Sequence, residues 1–163
     1  MFHIYDLYYW IKPNQIVEPA LPDINKYVNL IDIKTKKVED LTDLETSRFC
    51  SFLKSFYLRS KHTNYVPEPR HVMEYLKGSN HPSFVSMYKT PKLLFDAEGA
   101  IADDELSSVI SARPLHVTLK NQRTFPTYYV DNLCVNPAMR KQGVAPKAIQ
   151  TLYYDIRRGN KKI

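Results

Sequence analysis

The sequence predicts a mixed α/β domain in which flanking helices cover a largely antiparallel sheet. Three observations carry that expectation. Short stretches that alternate apolar and polar residues recur at 27–33, 83–89 and 106–119, as half-buried strands require. The stretches after Thr42 and after Pro146 repeat apolar residues at helical spacing. Residues 127–158 read as a strand, a loop with one glycine and an amphipathic helix in direct succession.

Residues 1–26 hold Tyr5, Tyr8, Tyr9, Pro13, Pro19, Pro22 and the only tryptophan, Trp10. Proline at this density opposes regular structure, so an extended N-terminal arm is expected over a domain formed by residues 27–163. Val28 and Leu30 alternate with Tyr27, Asn29 and Ile31, which places a first strand at 27–33. Thr42 and Glu45 form a T-x-x-E capping box. Behind it Phe49, Phe52, Leu53, Phe56 and Tyr57 share one helical face that belongs in a core. After a polar loop from Ser60 to Pro67, Pro69 suits the first turn of a second helix. Val72, Met73 and Leu76 give this helix an apolar edge and Gly78 ends it.

A turn at His81-Pro82 leads into a strand from Ser83 to Lys89. Residues 90–105, with Leu93, Leu94, Phe95 and the acidic run Asp103, Asp104, Glu105, are expected to be an irregular excursion between two strands. Leu106–Leu119 is the next strand, bent at Pro114 because proline cannot continue a ladder. Residues 120–126 turn the chain into the last strand. The final helix is expected to start near Pro146, carry Ile149, Leu152, Tyr153 and Ile156 on one face, and stop at Gly159. The order is therefore arm, β, α, α, β, β, β, α.

A length of 163 residues suffices for one domain with a core of its own. No apolar run approaches the roughly 18 residues of a membrane span, and the N-terminus lacks the pattern of a signal peptide, so a cytoplasmic protein is expected. Cys50 and Cys134 lie far apart in apolar surroundings and fit small core residues better than a disulfide. The five histidines show no ligand spacing with them, so no metal is expected. The net charge of +6 is local: from Asn136 onward Arg140, Lys141, Lys147, Arg157, Arg158, Lys161 and Lys162 face a single acid, Asp155. A polyanionic partner fits this segment, and nucleic acid is the weakest such candidate.

The loop within that segment spells Arg140-Lys141-Gln142-Gly143-Val144-Ala145, an R-x-x-G-x-A spacing that opens a helix. Unpartnered N–H groups and the helix dipole make such a turn an anion site, here for a pyrophosphate. The plainer alternative is that Gly143 only turns the chain.

These residues resemble a known family. R-x-x-G-x-A is similar to the Q/R-x-x-G-x-G/A loop with which the GNAT acyltransferase superfamily grips the pyrophosphate of acyl-CoA. More narrowly, Asn132-Leu133-Cys134-Val135, followed by Arg140 and by Val144-Ala145-Pro146, resembles the N-F-L-C-V strand and R-S-K-R-V/L-A-P loop of glycylpeptide N-myristoyltransferase. Val109-Ile110-Ser111-Ala112-x-Pro114 is similar to that family's F-I-S-A-I-P strand, and Phe52 to Tyr65 resembles its L-L-x-x-N-Y-V helix end. Three positions depart from the pattern: Asn132 stands at the family's Phe, Asp131 at its Asn, and Gly143 at a basic residue. The family continues for a further strand, helix and strands and a second similar half, so the resemblance implies a GNAT-like domain truncated after its pyrophosphate-binding helix.

The resemblance implies acyl-CoA as cosubstrate, myristoyl-CoA or alternatively acetyl-CoA, and a peptide or protein N-terminus as acceptor. It implies a backbone oxyanion hole at Asn132 and Leu133, freed by a strand bulge. Cofactor contacts would come from Cys134, Val135, Arg140, Lys141, Gln142, Gly143, Val144, Ala145 and Pro146, with Trp10 in the place of a CoA-contacting tryptophan. Asp131 and His116 are candidates for the base by residue type alone. Cys134 as an acylated nucleophile is the lesser alternative, since direct transfer does not need it. The expected activity is transfer of a fatty acyl group to an N-terminal glycine. The rivals are a small N-acetyltransferase and a non-catalytic acyl-CoA-binding module, and a second copy could complete the sheet as a homodimer. The Phe-rich face after Thr42 either lines an acyl pocket or fills a core.

Overall fold

The computed structural model describes residues 20–59, 62, 64–96, 99–120 and 124–160. The elements follow in the expected order: β1 (Ile33–Lys37), α1 (Asp43–Phe56), α2 (Pro69–Leu76), β2 (Phe84–Asp96), β3 (Gly99–Thr118), β4 (Thr124–Val135) and α3 (Val144–Gly159). Short 3-10 turns at Val38–Asp40 and Pro137–Met139 follow β1 and β4. The four strands form one sheet in the order β1-β2-β3-β4, each pair antiparallel, so β1 and β4 are its edges.

Period-two alternation sends the strands' apolar residues to two faces. On one face Val85, Met87, Val109 and Cys134 pack with Phe49, Phe52 and Leu53 of α1 and with Val72, Met73 and Leu76 of α2. On the other, Ile110 and Ala112 meet Ala148, Leu152 and Ile156 of α3, with Phe84, Tyr128 and Leu133 beside them. Val144 at the start of α3 joins Ile33 and Tyr88 in a third cluster. The result is a three-layer sandwich of helices, sheet and helix.

The capping box opens α1 as its sequence requires: the Glu45 N–H donates to Thr42 Oγ1 at 3.2 Å and the Thr42 N–H donates to Glu45 Oε2 at 3.1 Å. Phe49 and Leu53, both fully buried, anchor its inner face. Each such side chain contributes about 1.5–3 kcal/mol through removal from water.

Four expectations shift. The first strand lies at 33–37 rather than 27–33, because asparagine side chains bend the earlier stretch. Asn25 Oδ1 accepts from the Tyr27 N–H at 2.9 Å, and Asn29 Oδ1 accepts from the Ile31 and Asp32 N–H groups, each at 3.1 Å. Residues 90–105 are not irregular. Pairing runs from Lys89↔Leu106 to Asp96↔Gly99, a two-stranded ribbon projecting beyond β1 and β4. Pro91 is tolerated there because no third strand needs its missing N–H. Pro114 keeps its place opposite Tyr128 for the same reason, as β3 pairs with β2 only up to Ala112. Finally α3 starts at Val144, and its Ile149 and Tyr153 are exposed while Leu152 and Ile156 are buried.

Of the N-terminal segment, the described residues 20–32 lie along α3. Ala20 O accepts from Arg157 Nη2 at 2.9 Å, Asn25 Nδ2 donates to Gln150 Oε1 at 3.2 Å, and the Asn29 N–H donates to Thr151 Oγ1 at 2.9 Å. Among the described residues no helix is long and apolar enough to cross a membrane.

Candidate functional site

The site begins with a break in β4. Val109 pairs with Cys134 and Ser111 with Asp131, so two residues of β4, Asn132 and Leu133, stand opposite Ile110 alone. This is a bulge, and its left-handed residue is Asn132 at φ 53°. Asparagine tolerates that region better than the aromatic residue of the resembling motif. Local bonds hold the kink. Asn132 Nδ2 donates to Ser111 Oγ at 2.9 Å, Ser111 Oγ donates to the Asp131 carbonyl at 3.2 Å, and the Asn132 N–H donates to Asp131 Oδ1 at 2.7 Å. The extra residue sends Leu133 to the α3 face while Cys134 reaches the opposite core.

The loop that follows is built to leave backbone open. Asn136 anchors it, with its N–H on the Ser107 carbonyl at 2.9 Å and its Oδ1 accepting from the Ala138 N–H at 3.1 Å. Arg140 closes the 3-10 turn, and Lys141 (φ 64°) and Gly143 (φ 75°) then both take left-handed backbone. Gln142 Nε2 donates to the Ala138 carbonyl at 3.1 Å and braces the loop. Gly143 is the N-cap of α3, with no side-chain cap and no acidic residue in the first turn. Pro146 has no N–H to satisfy, and the first intrahelical bond is Lys147 N–H to Gly143 O at 3.3 Å. The N–H groups of Val144 and Ala145 therefore begin the helix without intrahelical acceptors. A Cβ placed on Gly143 would meet no atom within 4 Å, and Arg140, Lys141 and Gln142 are exposed around this opening. Exposed positive charge, a helix dipole and open backbone donors together suit a phosphate group.

The structure thus brings the sequence-predicted residues from Asn132 to Pro146 into one contiguous bulge, strand end, loop and helix start. Val135 is half-buried beside Met139 and the Val144 cluster. Trp10 lies outside the described residues. Cys134 is buried in the core, and burial pushes its thiol up to about 11, against the smaller effect of Arg140. A thiol so held carries little thiolate at neutral pH, which argues against its use as a nucleophile. His116 is exposed, five strand positions beyond Ser111 and therefore roughly 16 Å along β3 from the bulge, with His81 as its ring neighbour at 6.1 Å.

The sequence offered no pointer to what surrounds Asp131. Its Oδ1 accepts from the Tyr57 hydroxyl at 3.1 Å and its Oδ2 from the Tyr75 hydroxyl at 3.4 Å. Arg113 donates from Nε to the Tyr75 hydroxyl at 2.7 Å. Its guanidinium lies 4.6 Å from the Tyr75 ring centre and 5.3 Å from that of Tyr129. Burial, then the charge and hydrogen bond of Asp131, push the Tyr57 hydroxyl up to about 12, so it keeps its proton.

No protein-family model matches the chain, and no curated protein matches it in sequence. Among solved structures, its fold is similar to Saccharomyces cerevisiae N-myristoyltransferase, solved with bound myristoyl-CoA, at a TM-score of 0.59 and 13% sequence identity. The likeness covers 91% of this chain and 33% of the yeast enzyme, so the chain spans about a third of that enzyme's length. A more distant likeness, TM-score 0.42 at 14% identity over 78% of this chain and 75% of the other, is to glucosamine-6-phosphate N-acetyltransferase from Arabidopsis thaliana. Over that span the chain shares the fold of the yeast structure, with a four-stranded antiparallel sheet between flanking helices.

Proposed function

We propose that this chain binds acyl-CoA at the β4 bulge and the start of α3 and acts in transfer of the acyl group to an amine. The observation that carries this reading is the succession of a two-residue bulge and an uncapped, acid-free helix N-terminus within fifteen residues of chain. The diphosphate would sit on the N–H groups of Val144 and Ala145 with Arg140 and Lys141 beside it. The thioester would then reach back to the bulge. The neutral amine nitrogen attacks the thioester carbonyl carbon, and the oxyanion takes the N–H groups at Asn132 and Leu133. The C–S bond breaks to release CoA as its thiolate, and the proton lost by the nitrogen passes to that thiolate through water as the amide forms. The Asn132 N–H is held by Asp131 Oδ1, so that carboxylate turns aside when the thioester oxygen arrives.

For the acyl group we propose myristoyl and for the acceptor an N-terminal glycine. Support comes from the Leu133-Cys134-Val135 and Val144-Ala145-Pro146 motifs and from the likeness of the fold to the yeast enzyme. One observation favours acetyl-CoA instead: Phe49, Phe52 and Leu53, the candidates for lining a long acyl pocket, are packed into the core. Calorimetric titration with myristoyl-CoA, acetyl-CoA and CoA separates the two. Burying even three methylenes at about 0.8 kcal/mol each would favour the long chain roughly fiftyfold. Equal affinity for all three would refute the long-chain assignment, and no binding to any of them would refute the CoA site.

A further inference from the structure

We infer that the N-terminal segment of this chain, residues 1–19, packs into the apolar groove between α3 and the free edge of β4. The groove has a volume of about 430 Å³, and Ile110, Tyr128, Val130, Ile149, Tyr153 and Arg157 are among its walls. Three of these side chains, Val130, Ile149 and Tyr153, are 48%, 40% and 44% exposed, so an apolar surface stands open to water. β4 is the last strand of the sheet and has no partner strand on its outer side among the described residues. A free edge beside an apolar wall suits an extended segment. The edge binds its backbone and the wall takes its alternate side chains.

Ala20 sits at this groove, which makes the residues before it the nearest occupant. Arg157 is buried, lines the groove, and donates from Nη2 to the Ala20 carbonyl at 2.9 Å. Nine of the first eleven residues are hydrophobic, all but His3 and Asp6. Surface of that kind is stabilised by burial, at about 25 cal/mol per Å² removed from water. Tyr5, Leu7, Tyr9 and Ile11 recur at every second position, so an extended backbone puts all four on one face. Tyr128 and Val130 have the same spacing on the groove side of β4. Before Ala20, proline occurs only at Pro13 and Pro19, in the connection and not in the apolar stretch, where it would remove a ladder donor. The nine steps from Ile11 to Ala20 reach up to roughly 30 Å, against about 12 Å for α3 from Ile149 to Arg157. A tethered segment also meets the groove at an effective concentration in the millimolar range, well ahead of a second copy of the chain.

Trp10 is the only tryptophan of the chain, so its fluorescence reports on the segment directly. In the full chain without CoA, its emission should be blue-shifted and shielded from acrylamide relative to the same chain in urea. Ile149→Glu and Tyr153→Glu put charge into the groove at exposed positions that the core does not need. Each should shift the emission to the red and raise quenching to the level of the unfolded chain, while circular dichroism stays native. Leu44→Glu, at an equally exposed apolar position of α1 across the sheet, should change neither. A solvent-exposed Trp10 in the wild type, or an emission that neither groove variant moves, would overturn the inference. So would a wild type that sediments as a dimer and becomes a monomer in the groove variants, since a second copy would then hold the groove.

Discussion

Gly143 answers two demands at once, and two substitutions pull them apart. Its φ of 75° and ψ of 15° are left-handed, and a Cβ there would meet nothing within 4 Å. Crowding therefore adds nothing to the cost of a side chain, and only the backbone term remains. That term is on the order of 1–2 kcal/mol for an ordinary L-residue and little for asparagine. A domain of this size loses about 2–4 °C in melting temperature per kcal/mol. Gly143→Val should therefore melt roughly 2–8 °C below wild type, and Gly143→Asn close to it. Both put atoms into the open space at the start of α3. If a diphosphate docks on that backbone, both should weaken CoA binding about tenfold or more, near 1.4 kcal/mol. Thermal unfolding gives the first quantity and calorimetry with CoA the second. The decisive variant is Gly143→Asn, because it changes access with little strain. Should it bind CoA as tightly as wild type, Gly143 only turns the chain and the phosphate lies elsewhere.

Two further outcomes follow from the structure. Cys134→Ala should keep CoA binding and acyl transfer, since burial holds the thiol near 11 and little thiolate is there to lose; a tenfold drop in turnover at unchanged CoA affinity would restore it as a nucleophile. The Lys36–Glu45 pair at 2.7 Å gives stability an acid limb: Lys36 foremost holds the Glu45 carboxyl below its ordinary 4.5, against burial and with help from Thr42. A depressed folded value means the stabilisation is present above about 4.5 and is lost as pH falls through the folded value. Glu45→Gln keeps an amide oxygen for the Thr42 N–H but loses the ion pair, so it should lower the melting temperature at neutral pH by an amount on the order of 0.5–1 kcal/mol. It should narrow its deficit towards pH 3, and a deficit independent of pH would show that the charge contributes nothing.

What could be read from sequence divides by the range of the interactions involved. The α1 cap, its Phe49-Phe52-Leu53 face and the β4–loop–α3 succession depend on residues within a few positions of one another, and they stand where periodicity put them. The first strand was displaced by Asn25 and Asn29, whose side chains outcompete a ladder for the N–H groups of Tyr27, Ile31 and Asp32. The ribbon of 90–105 was hidden because Pro91 and the acidic run are loop signals only where a third strand must be paired. The bulge left no local trace, since its register is set by which face Cys134 and Asp131 must share.

That sharing explains how the two halves of the candidate site are linked. Residues three apart on a regular strand face opposite ways. Cys134 nevertheless enters the α1/α2 core, and Asp131 meets Tyr57 at the end of α1 and Tyr75 on α2, on the same side of the sheet. The extra residue at Asn132 reconciles these demands. The same step that lets Cys134 complete the core brings a carboxylate to the tyrosines and turns the Asn132 N–H to Asp131 Oδ1. The proposed donor side lies in one stretch of chain and was legible. The cluster of Asp131, Tyr57, Tyr75 and Arg113 is assembled from α1, α2, β3 and β4, so only the folded sheet brings it together.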